Sequence, residues 1–144
     1  RYTLGEEPIE VTAVETKTDK VKFAEVDESI FWTMRFPSGA MAHCGTTYLT
    51  GGMNYLKVMA DRGVFQLTSA YGYTGLAGGI GDNPSKLKPF DLPQVDHFAA
   101  EMDDFAECIM RNKPTRASGE EGLADMKVIE AIYRSIAEGR TVKV

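Results

Sequence analysis

The sequence predicts an α+β domain, and three observations carry that prediction. Strand-like segments fill the first half and helix-like segments close the chain, with no regular βαβ alternation. Asp27 to Phe36 and Ala40 to Leu49 flank Pro37-Ser38-Gly39, which is good hairpin-turn chemistry. Two C-terminal segments carry apolar residues at helical spacing. The expected architecture is an open, mostly antiparallel β-sheet with helices packed on one face and the other face available for oligomerisation.

Taken in order, Glu7 to Lys17 follows a turn at Pro8 and alternates imperfectly, with Ile9, Val11 and Ala13 on one side, as a strand does. Thr18 to Lys20 is a polar corner. In the hairpin that follows, pairing symmetric about Ser38 sets Phe36 against Ala40, Met34 against Ala42, Trp32 against Cys44 and Ile30 against Thr46. That largely apolar face suits a helix-covered core. The opposite face carries Phe31, Thr33, Arg35, Met41, His43, Gly45 and Thr47 and is mixed in character. Phe31, Thr33, Arg35, Met41 and His43 are therefore the interface candidates. For Arg35 a cross-strand or inter-subunit ion pair is expected ahead of an acidic substrate.

A second hairpin is expected from Asn54 to Met59 and Val64 to Thr68, with Gly63 supplying the left-handed residue of a type I turn plus bulge. Ser69 to Asp91 reads as an irregular loop, rich in glycine between Gly72 and Gly81 and broken by Pro84 and Pro89. Gln94 to Asn112 places Phe98, Met102, Phe105 and Ile109 on one helical stripe, stopped by Asn112-Lys113-Pro114. Ser118 to Glu121 is a capping box, in which Ser118 bonds the backbone at Glu121 and Glu121 reaches back. Leu123, Met126, Ile129, Tyr133 and Ile136 form the stripe of the second helix, Gly139 ends it, and Thr141 to Val144 offers a last short strand.

At 144 residues and 43% apolar content the chain fits one globular domain. A net charge of −5 without a basic stripe argues against a nucleic-acid surface. No apolar run approaches the length of a membrane span. Cys44 and Cys108 are far apart, which excludes a disulfide scaffold or a cysteine-rich zinc site and points to a reducing, cytoplasmic compartment, with export of a longer parent left open. No metal site is expected, since two histidines and distant cysteines match no usual ligand spacing.

No dinucleotide fingerprint is present. Gly79-Ile80-Gly81-Asp82-Asn83-Pro84 lacks the third glycine and opens no helix, so the glycine run reads as a flexible connection. His97 stands at a helix start with Glu101 one turn later, where a carboxylate could orient an imidazole for acid–base work. A solvated first-turn pair is the simpler reading. Tyr48, Tyr55, Tyr71 and Tyr73 could line a sugar-sized pocket, with Tyr71 and Tyr73 favoured because they border the long loop. His97, Tyr71 and Tyr73 are the pocket candidates.

Four stretches resemble the C-terminal domain of the glucose–fructose oxidoreductase/inositol dehydrogenase (Gfo/Idh/MocA) family: RYTLGEEPIEV (1–11), WTMRFPSGAMAH (32–43), HFAAEMDDFAECIMRNKP (97–114) and SGEEGLADMKVIEAIYRSIAEGRTVKV (118–144). The glucose–fructose oxidoreductase branch is the most similar. The resemblance implies that 1–144 is the substrate and oligomerisation domain of a longer enzyme, with an N-terminal Rossmann domain absent from this chain. It implies NAD or NADP in the full-length parent and none bound to this fragment, hydride transfer on a sugar, polyol or related alcohol, and a homo-oligomer (dimer or tetramer) built on the open sheet face. The family's nucleotide loop and catalytic lysine and acid–base group would lie upstream of Arg1, so no catalytic or cofactor-binding residue is assigned in this chain. The alternative is a stand-alone binding or scaffold module of the same fold.

Overall fold

The computed structural model describes residues 1–52 and 54–144. Its strands and helices run β1 (Glu10–Thr16), β2 (Ser29–Arg35), β3 (Met41–Thr47), β4 (Tyr55–Ala60), β5 (Gly63–Thr68), β6 (Ala77–Gly81), β7 (Lys88–Pro89), α1 (His97–Arg111), α2 (Gly119–Glu138) and β8 (Val142–Lys143). All strand pairing among the described residues is antiparallel, and the α+β class stands. Instead of one open sheet there are two four-stranded sheets, ordered β3-β2-β1-β8 and β4-β5-β6-β7. They belong to two compact units, one formed by 1–52 with 117–144 and the other by Asn54–Arg116.

The first unit contains the main core. Its hairpin is symmetric about Ser38, with Ile30 opposite Thr46, Trp32 opposite Cys44 and Met34 opposite Ala42. Gly39 adopts a φ of 88°, and the turn closes through Gly39 N–H donating to Phe36 C=O at 2.9 Å. Val11 and Ala13 of β1, Ile30 of β2 and Val142 of β8 meet Val128, Ala131 and Ile132 of α2, with Trp32, Met34 and Ile136 packed around them. Full burial of each Val or Ile is worth roughly 1.5–3 kcal/mol.

The stripe expected on α2 is displaced. Leu123, Met126, Ile129 and Tyr133 are exposed, and Val128, Ala131, Ile132 and Ser135 face the sheet. Val128, Ala131 and Ile132 therefore make the contact with the sheet, with Ile136 packed beside them. Both caps of α2 form: Ser118 Oγ accepts Glu121 N–H at 3.3 Å, and Gly139 ends the helix at a φ of 63°. The reciprocal arm differs from the capping-box expectation, because the Glu121 carboxylate turns to Arg1 instead.

Arg1 is a clamp. Its guanidinium forms a fork on Glu7 (2.6 and 2.8 Å) and reaches Asp125 at 2.6 Å and Glu121 at 3.2 Å, so the start of the chain is tied to the first turns of α2. The Glu7 hydrogen bond is the main cause that raises the Arg1 guanidinium above its ordinary value, and the same bond lowers the Glu7 carboxyl.

Glu28 organises the β1–β2 connection. Its side chain is almost fully buried and accepts Thr18 N–H, Thr18 Oγ–H and Asp19 N–H at 2.9–3.0 Å. Burial alone would raise its pKa, but these donors outweigh burial and hold it below the usual carboxylate range. Phe23, brought in by this corner, is buried and stacks on Tyr48.

In the second unit β4 and β5 pair from Tyr55–Thr68 to Ala60–Gly63, as the turn chemistry predicts. The expected irregular loop instead contains β6 and β7. Glycine is required there by close approach: a Cβ would lie 2.2 Å from Gln66 C=O at Gly78, 2.7 Å from Lys88 C=O at Gly79 and 2.5 Å from Lys86 C=O at Gly81. The run is a tightly packed strand, not a flexible connection. Helix α1 opens on Asp96, whose carboxylate accepts Phe98 N–H at 3.0 Å and Ala99 N–H at 3.1 Å, and closes on Asn112 in the left-handed conformation. None of its residues is buried.

One side chain joins strand to helix terminus. Continuing the β1–β8 register (Glu10–Lys143, Val11–Val142) would set Ala13 opposite Arg140, but the chain has already turned into α2 there. Ser135 Oγ fills the gap, accepting Ala13 N–H at 2.9 Å and donating to Arg140 C=O at 2.7 Å. Ser135→Ala should cost about 1–3 kcal/mol in urea unfolding, because it strands a buried donor and an acceptor together. Acid should expose the carboxylates in the same way. Folded pKa values below the unfolded ones mean that the stability given by Glu7 and Glu28 is complete above the unfolded value and lost as pH falls through the folded one. Melting temperature should therefore fall below about pH 4, and Glu28→Gln should lower it at neutral pH while flattening the acid limb.

Candidate functional site

Two places collect the residues singled out from the sequence, one in each unit. The first is the outer face of the β3-β2-β1-β8 sheet. Alternation turns Thr12, Val14, Phe31, Thr33 and His43 away from α2, and together they line a shallow open groove. Thr33 Oγ1 and His43 Nδ1 are hydrogen-bonded at 2.9 Å across directly paired positions. Arg35 pairs with Glu10 at 2.8 Å, also in register across β1 and β2, which is the cross-strand ion pair expected for it. Met41 at 61% and Phe31 at 42% exposure add apolar area to the same face. Cys44 points to the helix side, where burial pushes its thiol up. The resulting surface mixes apolar side chains with matched polar pairs, as subunit interfaces do.

The second place is a cleft of about 230 Å³ at the start of α1. Thr74, Gly75 and Leu76 form one side; Leu92 to Val95 and His97 form the other. Thr74, Gln94 and His97 are its polar lining residues, set among Leu76, Leu92, Pro93 and Val95. His97 has no bond to Glu101: the charge in the first turn of α1 comes from the Asp96 cap, and no ion pair joins the two residues. The tautomer-holding pair considered from the sequence is thus not assembled. Tyr73 does not line the cleft; its ring lies 5.1 Å from that of Phe98, the residue after His97. Tyr71 is held through its backbone N–H on Asn54 Oδ1 at 2.7 Å, with an exposed ring. Tyr48 and Tyr55 are also exposed, in different units. Leu92 and Gln94 carried no sequence signal, because only the β6–β7 turn and the extended approach to α1 bring them to Thr74.

The residues present do not fit a dinucleotide. A phosphate cradle needs free backbone N–H groups and space beside a glycine, opening onto a helix. Here the space beside Gly78, Gly79 and Gly81 is filled by carbonyl oxygens, and no helix follows. Among the described residues no group of three His, Cys, Asp or Glu side chains could hold a metal ion, and no helix is long and apolar enough to cross a membrane.

The first unit is thus a helix-covered sheet with an open mixed face, and among the described residues no glycine loop opens onto a helix. The chain belongs to the oxidoreductase family whose C-terminal alpha/beta domain (Gfo/Idh/MocA) matches it over residues 1–144. It is 37% identical to an aldose-aldose oxidoreductase from Caulobacter crescentus, with a TM-score of 0.89, covering all of this chain and 43% of that one. A D-xylose 1-dehydrogenase [NADP(+)] from Haloarcula marismortui is 24% identical over 145 residues, which is 99% of this chain and 40% of the relative. A UDP-N-acetylglucosamine 3-dehydrogenase from Acidithiobacillus ferrooxidans shares the fold at a TM-score of 0.77 and 16% identity, over 92% of this chain and 41% of that one. The chain thus spans about two-fifths of the length of the proteins it matches.

Proposed function

We propose that this chain is the substrate-side and oligomerising domain of an NAD(P)-dependent oxidoreductase acting on a sugar, polyol or related alcohol. The observation that carries the reading is the match along the whole chain to a sugar oxidoreductase at 37% identity, joined to a cleft whose lining mixes Thr74, Gln94 and His97 with apolar residues. The nicotinamide, NAD or NADP, would be held by the remainder of the parent and accept or deliver the hydride at a carbinol carbon. This chain's part is binding: Thr74, Gln94 and His97 fix hydroxyl groups while Leu76, Leu92 and Val95 keep water from the wall. Tyr73, whose ring meets Phe98, and Tyr71 would extend that wall.

The open face carrying Phe31, Thr33, Arg35, Met41 and His43 would pair subunits into a homodimer or tetramer. Its cross-strand pairs fix side-chain positions before association, which lowers the entropy cost of binding. A soluble cytoplasmic enzyme is the setting this reading implies.

Two measurements check the proposal. The full-length polypeptide bearing this sequence should reduce a nicotinamide cofactor with an aldose, and the 144-residue chain alone should show no turnover; an intact polypeptide inactive on every aldose and polyol would favour a binding or scaffold module. His43→Glu or Arg35→Glu should lower the oligomer mass in sedimentation while the monomer stays folded, since exposed pairs of this kind contribute only about 0–1 kcal/mol to stability. Unchanged mass in both variants would place the subunit contact elsewhere.

A further inference from the structure

We infer that the cleft at the start of α1 selects a neutral, monosaccharide-sized polyhydroxyl ligand over phosphorylated or otherwise anionic sugars, and that Asp96 sets this preference. The inference rests on the reading of the cleft as a wall of the substrate pocket and narrows the substrate class.

The charge inventory is the first argument. None of the lining residues is Asp, Glu, Lys or Arg. A hydroxyl, an amide and an imidazole can each donate and accept, which matches sugar hydroxyls. No ammonium or guanidinium lines the cleft to offset a phosphate. The volume, about 230 Å³, lies at the small end for ligand sites and excludes a nucleotide.

The helix supplies the second argument. A helix start ordinarily favours an anion, through free N–H groups and the positive end of the dipole. Here Asp96, between the lining residues Val95 and His97, has already taken Phe98 N–H and Ala99 N–H with its own carboxylate. An incoming phosphate would find those two donors already held by a residue of like charge. The cap that starts α1 is therefore also the element that turns anions away.

Saturation-transfer NMR on this chain, with D-glucose and D-glucose 6-phosphate as probes, tests the assignment. Glucose should show transfer that His97→Ala reduces, and the phosphate should bind weaker by about tenfold or more, as expected for like charges at close range. Asp96→Asn keeps a cap of equal strength without the charge, so it should narrow that gap while helix content by circular dichroism is unchanged. Glucose 6-phosphate binding as well as glucose, or a gap that Asp96→Asn leaves intact, would overturn the charge selection and leave the pocket-wall reading standing. Absence of transfer from both probes would overturn the cleft as a ligand site, whereas turnover by the full-length polypeptide would still decide the oxidoreductase reading separately.

Discussion

The seam between α2 and β1 is the constraint on which the first unit depends. Val11, Ala13, Ile30 and Val142 offer a flat apolar surface, and α2 answers with Val128, Ala131 and Ile132, residues short enough for close approach. That packing creates a polar problem, because Ala13 N–H is buried and the Arg140 carbonyl part-buried where strand pairing has run out. Ser135, fully buried, resolves it with one hydroxyl that accepts from one side and donates to the other. An apolar side chain there would fill the volume and leave both backbone groups unpaired.

Because α2 covers one face of that sheet, the hairpin's other face is left to solvent with its alternation intact. The register about Ser38 thereby decides which residues pack under α2 and which face outward. A slip of one residue would carry Trp32 and Met34 out and Arg35 and His43 in. Arg1 and Glu28 work at the margins of the same unit. One ties the chain's first residue to α2, and the other holds the long β1–β2 corner through three donors.

The cleft owes its character to a different economy of backbone groups. Three glycines allow neighbouring carbonyls to approach β6 so closely that no cradle remains, which turns a run that reads as a flexible connection into plain sheet. A carboxylate at the mouth of α1 takes the donors that an anion would otherwise use. What is left is a small cleft whose lining holds no Asp, Glu, Lys or Arg.

Local patterns determined much of this by themselves. The strands before the glycine run, the Ser38-centred register, the Ser118 start and Gly139 stop of α2 and the closing strand follow from short-range signals: period, turn residues and caps; α1 starts at His97 on the Asp96 cap, three residues after the expected Gln94. The family resemblance was legible for the same reason, since its marks are contiguous motifs. Long-range packing decided the rest. Which stripe of α2 is buried is set by its docking on the sheet, so Leu123 and Met126 stay exposed while Val128, Ala131 and Ile132 are buried. The glycine run became a strand because of carbonyls contributed by β5 and by the residues around β7, a contact that composition cannot express. Glu121 abandoned its local cap for Arg1, 120 residues away in sequence. Leu92 and Gln94 joined the cleft only because β6 and β7 fold back to set Thr74 beside them. Sequence alone fixes what neighbours in the chain settle between themselves; the tertiary structure decides wherever two distant segments compete for the same space or the same hydrogen-bonding group.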